Sequence, residues 1–392
     1  MSKLATKNNR ILRSQQVLNA FIVIVRPYLP LDLQNTRITA EDILAVLGYA
    51  SVHRISMDAA SHELKEAPSA NRLREVLAQA LPDRKILQRA LNTILRMQTP
   101  RFVKKGKRAY YIAIDLTLIP YHGEHYQDEK EIVRSQPKSG TTHFHGYASV
   151  SIVHDNQRYV VALRFVEKDE SMQEIVAWLL NRLKSIGISI KRAYFDKGFC
   201  SVPVLKTLQR RKIKFILPIP VRGKSAGVRN LFEASASHKT TYTFKSPKHG
   251  ELNVSAVAVK KYSKGRYKRK GAHWFAYAVA GLPKSVEAHQ VFEMYRQRFG
   301  IETSYRQMNQ VRARTTSRNP VIRLLLVGLA FILFNLYIAN RQHFAICLKN
   351  PTKPFSNFWL TLRRLARMLA HAVENLFDLA DVTSRHALVV FS

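Results

Sequence analysis

Residues 111–117 read Tyr-Ile-Ala-Ile-Asp-Leu-Thr and place one acid, Asp115, inside a run of β-branched and aromatic residues. Such a run is typical of a buried β-strand, which we expect over 110–119, with Pro120 closing it. A carboxylate is costly in a packed core unless it is paired, protonated or bound to a cation. Asp115 is therefore a candidate functional residue.

A second acid stands in a similar setting. Residues 193–199 read Ala-Tyr-Phe-Asp-Lys-Gly-Phe, so Asp196 comes at the end of a short predicted strand, and Gly198 allows a sharp turn after it. One strand-end Asp is often only a turn former or a helix cap. Two of them, on strands that we expect to be neighbours, favour a shared divalent ion, because hard cations such as Mg²⁺ prefer carboxylate oxygens.

The elements around these acids predict a mixed α/β sheet with helices on its faces. After the strand with Asp115 we expect a hairpin turning at 155–156, an amphipathic helix over 172–186, a strand over 192–195, a helix near 203–211 and a strand over 214–218. Functional groups gather at strand ends in open sheets of this kind. Residues 221–270 differ, because they are β-like and strongly basic. We expect this stretch to bind DNA, and Lys268, Arg269 and Lys270 are its candidate DNA-binding residues.

The composition of the chain limits which class of molecule it binds. The chain has 392 residues, with 63 Lys or Arg against 27 Asp or Glu, which gives a formal charge of +36. Such a surplus favours nucleic acid as the partner, with an anionic membrane surface second and a solvated basic protein as the alternative. A hydrophobic content of 46% excludes a disordered chain, and two cysteines exclude a disulfide framework. The polar, basic first residues do not resemble a secretory signal.

Residues 1–103 are predicted to be a helical domain that binds DNA. Thr39 and Asp42 form a capping-box variant that opens a helix, and Gly48 is expected to end it. A later helix carries Arg72 and Arg74 near its start. Short helices around a glycine turn suit a helix-turn-helix reader of DNA, but a plain helical bundle with solvated charges explains the pattern equally well.

Residues 321–392 are predicted to be a C-terminal helical region. The strongly apolar stretch 324–338 is the one candidate for a membrane span. Arg323 and Arg341 leave seventeen residues between charges, and Asn335 lies among them. That length is at the short limit for spanning, so a buried helix is favoured.

Between the basic stretch and this region we expect a long helix over 285–314. Residues 295–309 read Tyr-Arg-Gln-Arg-Phe-Gly-Ile-Glu-Thr-Ser-Tyr-Arg-Gln-Met-Asn. Steps of three and four residues place five side chains on one helix face: Tyr295, Arg298, Glu302, Tyr305 and Asn309. A face of this composition is unlike a core stripe, although a solvated face remains the alternative.

The Tyr–Arg–Glu pattern on a helix after two strand-borne Asp resembles the signature of the DDE transposases of prokaryotic insertion sequences. The resemblance is to the branch with a β-rich insertion before the last acid, and it covers roughly residues 104–318. It implies a ribonuclease-H-like catalytic domain over 104–320, with the insertion at about 221–283. It also implies that Asp115, Asp196 and Glu302 hold two Mg²⁺ ions, for which Mn²⁺ can substitute.

The resemblance implies an activity as well. The protein is expected to bind terminal inverted repeats, cut the element ends and join them to target double-stranded DNA, as a homodimer on DNA in the cytoplasm of a prokaryote, with no membrane partner. Two metal ions can activate the attacking oxygen and stabilise the leaving one. Two alternatives remain: a metal-dependent nuclease of the same fold, and an inactive DNA-binding protein derived from a transposase.

The resemblance also implies DNA contacts. Tyr295 and Arg298 would contact phosphates near the scissile bond. Trp274 would stack on a flipped base, with core packing as the alternative. The signature ends in Lys, where this chain has Asn309. Asn can hydrogen-bond a phosphate but lacks the charge, so the charge would come from Arg306 or Arg312.

Overall fold

The computed structural model describes residues 12–34, 36–100, 103, 108–154, 157–223, 225–264, 270–347 and 360–380. At 157, 262–264, 270–272, 297–306 and 344–347 it describes the backbone alone. The chain forms two compact units. Unit 1 comprises residues 1–98 and 306–392, and unit 2 comprises residues 99–305.

Unit 2 is built on a sheet of nine strands in its described part. They are β1 (Ala109–Pro120), β2 (Val133–Lys138), β3 (Thr141–His154), β4 (Gln157–Val166), β5 (Ser189–Phe195), β6 (Phe215–Pro218), β7 (His238–Ser246), β8 (Gly250–Lys264) and β9 (Lys270–Ala280). The spatial order is β2-β3-β1-β5-β6-β9-β8-β7, and β4 pairs with β3. The strands β1, β5 and β6 run parallel at the centre, and the other pairs are antiparallel.

The helices of unit 2 follow from local sequence signals. They are α6 (Met172–Ile186), α7 (Val202–Arg210) and most of α8 (Ala288–Met308). The hydroxyl of Ser171 accepts a hydrogen bond from the backbone of Glu174, whose carboxylate accepts one from the backbone of Ser171, so α6 begins with a complete capping box. Gly187, with a φ of 83°, ends it. The predicted helix over 172–186 is confirmed at both ends.

The basic stretch extends the central sheet. Its strands β7, β8 and β9 form an antiparallel meander, and β9 pairs with β6 from Phe215↔Ala280 to Pro218↔Tyr277. The predicted β content over 221–283 is therefore present as the continuation of one sheet. Lys268 and Arg269 lie outside the described residues. Lys270 begins β9, where its backbone pairs with Lys264.

Unit 1 is helical throughout its described part. Its helices are α1 (Ser14–Val25), α2 (Ala40–His53), α3 (Met57–Glu63), α4 (Ala70–Ala80), α5 (Arg84–Gln98), α9 (Pro320–Cys347) and α10 (Leu362–Phe377). Helix α5 packs on α9, and α10 packs on α1 and α2. Backbone hydrogen bonds also join the two segments, such as that from Lys65 N to Asp378 O at 2.9 Å. The N-terminal and C-terminal helical segments thus share one compact unit.

The prediction that Gly48 ends a helix was wrong. Helix α2 continues through Gly48 to His53, and Arg54 then adopts the left-handed conformation with a φ of 60°. A Cβ at position 48 would lie 3.2 Å from Phe21 Cε1 and 3.3 Å from Leu369 Cδ2. The glycine therefore permits close helix packing, so the turn on which the helix-turn-helix hypothesis depended is absent at this position.

Helix α9 contains the predicted apolar stretch. It is the one described helix long and apolar enough to cross a membrane, and 89% of its apolar window is buried inside the protein. Asn335 is buried too, and Gln98 of α5 donates a hydrogen bond to the carbonyl of Ile332 at 2.9 Å. The expected buried helix is confirmed, because the apolar side chains of α9 pack in the core of unit 1.

Candidate active site

Asp115 and Asp196 lie beside each other at the centre of the sheet. Strands β1 and β5 run parallel, and Ile114 pairs with Phe195 as the last match between them. Each Asp is the next residue along its chain. Because neighbouring strands are about 4.8 Å apart, this register brings the two carboxyl groups into one neighbourhood.

Strand alternation puts both carboxyl groups on the same face of the sheet. Ile114 and Phe195 are register partners and share one face, so the residues that follow them point to the opposite face. Asp115 and Asp196 are both half-buried. Asp115 Oδ1 accepts a hydrogen bond of 2.9 Å from the backbone N–H of Leu116, which restrains its rotamer. A half-buried carboxylate pair just beyond the last parallel match of β1 and β5 is suited to cation binding.

Sequence reasoning missed one polar neighbour of this pair. Ser149 on β3 is the register partner of Asp115 in the antiparallel β1–β3 ladder, and its side chain is buried. Directly opposed residues share a face of the sheet. Nothing in the local sequence around Ser149 marks it, because its position opposite Asp115 depends on the strand register alone.

Tyr295 connects the signature helix to the strand that ends at Asp196. Its hydroxyl donates a hydrogen bond of 3.0 Å to the carbonyl of Phe195, and the residue is only 4% exposed. Its ring packs against Tyr277, with centroids 5.2 Å apart. In this position the hydroxyl of Tyr295 is buried and bonded to the backbone, and the phosphate contact stays a prediction.

Glu302 lies on the same helix, α8, seven residues after Tyr295. Seven residues are close to two helical turns, so the two positions share a helix face about 10.5 Å apart along the axis. The side chains of Glu302 and Arg298 lie outside the part that the structure describes. Their roles as third metal ligand and phosphate contact stay predictions.

The donor set fits a hard divalent cation. The two Asp residues offer oxygen ligands, the type that Mg²⁺ and Mn²⁺ prefer. Within the described side chains, no group of three or more His, Cys, Asp or Glu residues is placed to hold a metal ion. Glu302, the predicted third ligand, is not among the described side chains.

Cys200, four residues after Asp196, is not placed to act as a nucleophile. Burial raises the pKa of the Cys200 thiol to about 12. A thiol with so high a pKa stays protonated at neutral pH, and only the thiolate is strongly nucleophilic. Chemistry at this site is thus consistent with a reaction that needs no covalent protein intermediate.

Trp274 on β9 is part of an aromatic cluster. Its ring stacks on Phe232, with centroids 5.5 Å apart and an angle of 17° between the planes. Lys260 Nζ lies 5.5 Å from the centre of the Trp274 ring, and His238 meets it edge-on. The tryptophan is half-buried, so it has packing partners in the protein and some exposed surface.

Two predicted DNA-binding arginines on α4 form ion pairs. Arg72 lies 3.1 Å from Glu75, and Arg74 lies 2.8 Å from Asp58. Each guanidinium is therefore matched by a carboxylate within unit 1. Their DNA-binding role stays a prediction, and any DNA contact there would compete with these pairs.

Asn309, at the Lys position of the signature, accepts a hydrogen bond from an arginine side chain. It begins a short 3₁₀ turn over Asn309–Val311, and its Oδ1 accepts a hydrogen bond of 3.2 Å from Arg312 Nε. A guanidinium is thus fixed beside the position where the signature has an ammonium group. Of the two candidates for replacing that charge, Arg312 has this contact, and the side chain of Arg306 lies outside the described part.

Comparison with known proteins identifies the fold and the family. No curated protein matches the chain. Among solved structures, a cryo-EM structure of a piggyBac transposase synaptic complex with hairpin DNA is similar over 95% of this chain and 82% of that chain, with 13% identity and a TM-score of 0.57. The Drosophila P element transposase strand transfer complex matches 51% of this chain and 43% of that chain, with 13% identity and a TM-score of 0.22.

The piggyBac similarity and the nine-stranded mixed sheet confirm the predicted α/β, ribonuclease-H-like fold. The sequence model of the transposase DDE domain family matches residues 107–336, which is more than half of the chain. That segment contains Asp115, Asp196 and the signature helix. The chain therefore belongs to the transposase DDE domain family.

Proposed function

We propose that this transposase binds the terminal inverted repeats of a DNA element, cleaves its ends and joins the resulting 3′-OH groups to target DNA. The observation that supports the chemistry best is the register of β1 and β5, which makes Asp115 and Asp196 neighbours where the parallel pairing of the two strands ends. The family of DNA-processing enzymes to which the chain belongs agrees with it.

Asp115, Asp196 and Glu302 would hold two Mg²⁺ ions. Two bound metals supply activation of an attacking oxygen and stabilisation of a leaving oxygen in an in-line displacement at phosphorus. The contribution of the protein is to fix its carboxylates before DNA arrives. The Leu116 N–H restrains Asp115, and the Tyr295 hydroxyl ties α8 to the backbone next to Asp196.

Double-stranded DNA is the partner that the charge favours. The formal charge of +36 would be costly in self-repulsion without a polyanion to neutralise it. The basic stretch 221–270 would grip the DNA that flanks the cleavage site. Because two element ends must be cut together, we expect a homodimer on DNA, in the cytoplasm beside the nucleoid.

The decisive experiment compares three isosteric variants, Asp115→Asn, Asp196→Asn and Glu302→Gln, with the wild type. The substrate is a duplex carrying the terminal repeat found beside the gene, with a supercoiled plasmid as target and Mg²⁺ at about 5 mM to fill a two-metal site. Each variant should show cleavage reduced by about 10³-fold, which corresponds to about 4 kcal/mol of transition-state stabilisation.

Binding of the same duplex should stay within about threefold of the wild type, since removing a negative charge does not weaken phosphate contacts. Asp169→Asn serves as the matched control, because Asp169 is an exposed acid of the same unit and should leave cleavage unchanged. Cleavage without joining by the wild type would identify a nuclease. Cleavage by all three variants at the rate of the wild type would refute the proposed active site.

A further inference from the structure

Helix α5 carries a row of exposed basic side chains, Lys85, Arg89 and Arg96, which we call the α5 basic face. At 3.6 residues per turn these positions fall within an arc of about 40° on the helix surface. The row is about 16 Å long, since eleven residues rise 1.5 Å each. The opposite side of α5 is buried through Leu87 and Leu91, so the orientation of the helix is fixed.

No acid among the described side chains balances this face. Helix α5 contains no Asp or Glu, and the nearest carboxylate along the chain, Asp83, accepts hydrogen bonds from the backbone of Lys85 and Ile86 at the helix start. Across the residues that the structure describes, no carboxylate lies within ion-pairing distance of the three basic side chains. The α5 basic face is therefore a concentrated positive charge with no partner within the described chain.

Three other exposed arginines of unit 1 differ from this face. Arg26 pairs with Glu41, Arg72 with Glu75 and Arg74 with Asp58, so these three exposed arginines are already neutralised. Like charges four residues apart on a helix, such as Lys85 and Arg89, destabilise it unless an anion is shared. A row of this length matches a run of about five phosphates on one strand, which are about 3.4 Å apart along the axis.

We propose that the α5 basic face binds the phosphate backbone of double-stranded DNA, and that α5 rather than α4 is the main DNA-contacting helix of unit 1. The proposal rests on the proposed function for the identity of the polyanion. It makes a separate claim about which surface is used. Contacts to phosphates carry no sequence information directly, so the contribution of this face is to affinity and orientation.

The test measures binding of a fluorescent 30-base-pair duplex of mixed sequence as a function of salt. The variant Lys85→Gln with Arg89→Gln and Arg96→Gln removes three charges and keeps residues of good helix propensity. The control variant, Arg26→Gln with Arg72→Gln and Arg74→Gln, removes three ion-paired charges from the same unit. Because Arg72 and Arg74 are the α4 residues that the sequence predicts to bind DNA, this control also tests the competing assignment of DNA contact to α4. Far-ultraviolet circular dichroism and thermal unfolding establish that both variants are folded.

The slope of log Kobs against log salt should become shallower by about 0.9 for each phosphate that the variant no longer neutralises, or by about 2.7 for three phosphates. At 0.1 M salt the affinity of the α5 variant should fall on the order of 100-fold, and the control should change by less than about fivefold. Equal slopes for the α5 variant and the wild type would overturn the proposal, as would a larger decrease in the control.

Two other results have distinct meanings. A wild type that does not bind the duplex at all would refute DNA binding itself, and with it the proposed function. The sedimentation coefficient of the α5 variant without DNA can also be compared with that of the wild type. If it changes while DNA affinity does not, a second copy of the chain covers the α5 basic face, and the proposal is overturned. Sedimentation is worth measuring because Ile86 and Met97 are exposed apolar residues on the adjacent side of α5, where a second copy could pack.

Discussion

Tyr295 shows how a signature residue can act through the backbone. The sequence predicted that it contacts a DNA phosphate, but its hydroxyl donates to the carbonyl of Phe195 and its ring is enclosed beside Tyr277. The hydrogen bond lies one residue before Asp196 and two helical turns before Glu302. We therefore regard Tyr295 as a positioning residue that sets the distance between these two acids.

Tyr295→Phe tests this role. The change keeps the ring and leaves the Phe195 carbonyl without this donor, so the free energy of unfolding should fall by about 1–3 kcal/mol. The Mg²⁺ concentration that gives half-maximal cleavage should rise, since the acids would be held less firmly. The salt dependence of DNA binding should not change. These three quantities can be measured by urea denaturation, metal titration and fluorescence anisotropy.

Tyr126→Phe is the matched control, because Tyr126 is 46% exposed in the same unit and should alter none of the three measurements. A salt slope reduced by about 0.9 in Tyr295→Phe, with unchanged Mg²⁺ dependence, would restore the phosphate contact and contradict the positioning role. A decrease in stability alone would reduce Tyr295 to a packing residue.

At the level of single residues, the sequence predicted the two strand-end acids and the helix that carries Glu302. Asp115 was identifiable because a carboxylate within a β-branched run is out of place, and Asp196 because its strand is short and ends in a glycine turn. The side-chain environment was not predictable. Ser149 and the Phe195 carbonyl enter the site through strand register and helix docking, which no local pattern encodes.

At the level of elements, close helix packing explains why the predicted helix end at Gly48 was wrong. Gly48 and Gly328 both lie inside helices, where glycine is normally unfavourable by about 1 kcal/mol relative to alanine. Both are sites of close packing. A Cβ at position 328 would lie 2.5 Å from Leu91 Cδ2 and 3.0 Å from Leu91 Cγ. The rule that glycine ends a helix fails where a neighbouring helix requires the missing side chain.

Gly328→Ala should consequently destabilise the protein. The added methyl group meets Leu91, which is fully buried, and overpacking of this kind costs about 1–3 kcal/mol. The higher helix propensity of alanine offsets about 1 kcal/mol of this cost. The free energy of unfolding, measured by urea denaturation, should therefore fall by about 1 kcal/mol. The decrease should appear without any change in the far-ultraviolet spectrum.

The sign should reverse when Leu91 is first truncated. In a Leu91→Ala background, which by itself costs about 2–5 kcal/mol, the clash is gone and Gly328→Ala should stabilise by about 1 kcal/mol. The coupling between the two positions is then about 2 kcal/mol in a double-mutant cycle. A coupling near zero would mean that α5 and α9 do not approach each other as closely as the structure describes.

At the level of the whole molecule, the sequence predicted the α/β core and the helical character of both ends. It treated the N-terminal and C-terminal helices as separate regions. Both segments lie in unit 1, where α5 packs on α9 and α10 packs on α1 and α2. Hydrophobic periodicity reports which face of a helix is buried, but it does not report against which partner. Pairings between residues far apart in the chain, such as Gln98 and Ile332, are therefore outside its reach.

The shared unit predicts that neither end is stable without the other. A fragment of residues 99–392 would expose the apolar sides of α9 and α10 that pack on α1, α2 and α5. Exposed patches of that kind exceed what soluble monomers tolerate, so the fragment should aggregate. Co-expression with a fragment of residues 1–98 should give a soluble complex at 1:1 stoichiometry, measurable by size-exclusion chromatography with light scattering. The substitution Leu91→Asp in the 1–98 fragment should prevent formation of the soluble complex, because it places a carboxylate in the α5–α9 interface. A soluble, monodisperse 99–392 fragment would contradict a unit formed by both ends of the chain.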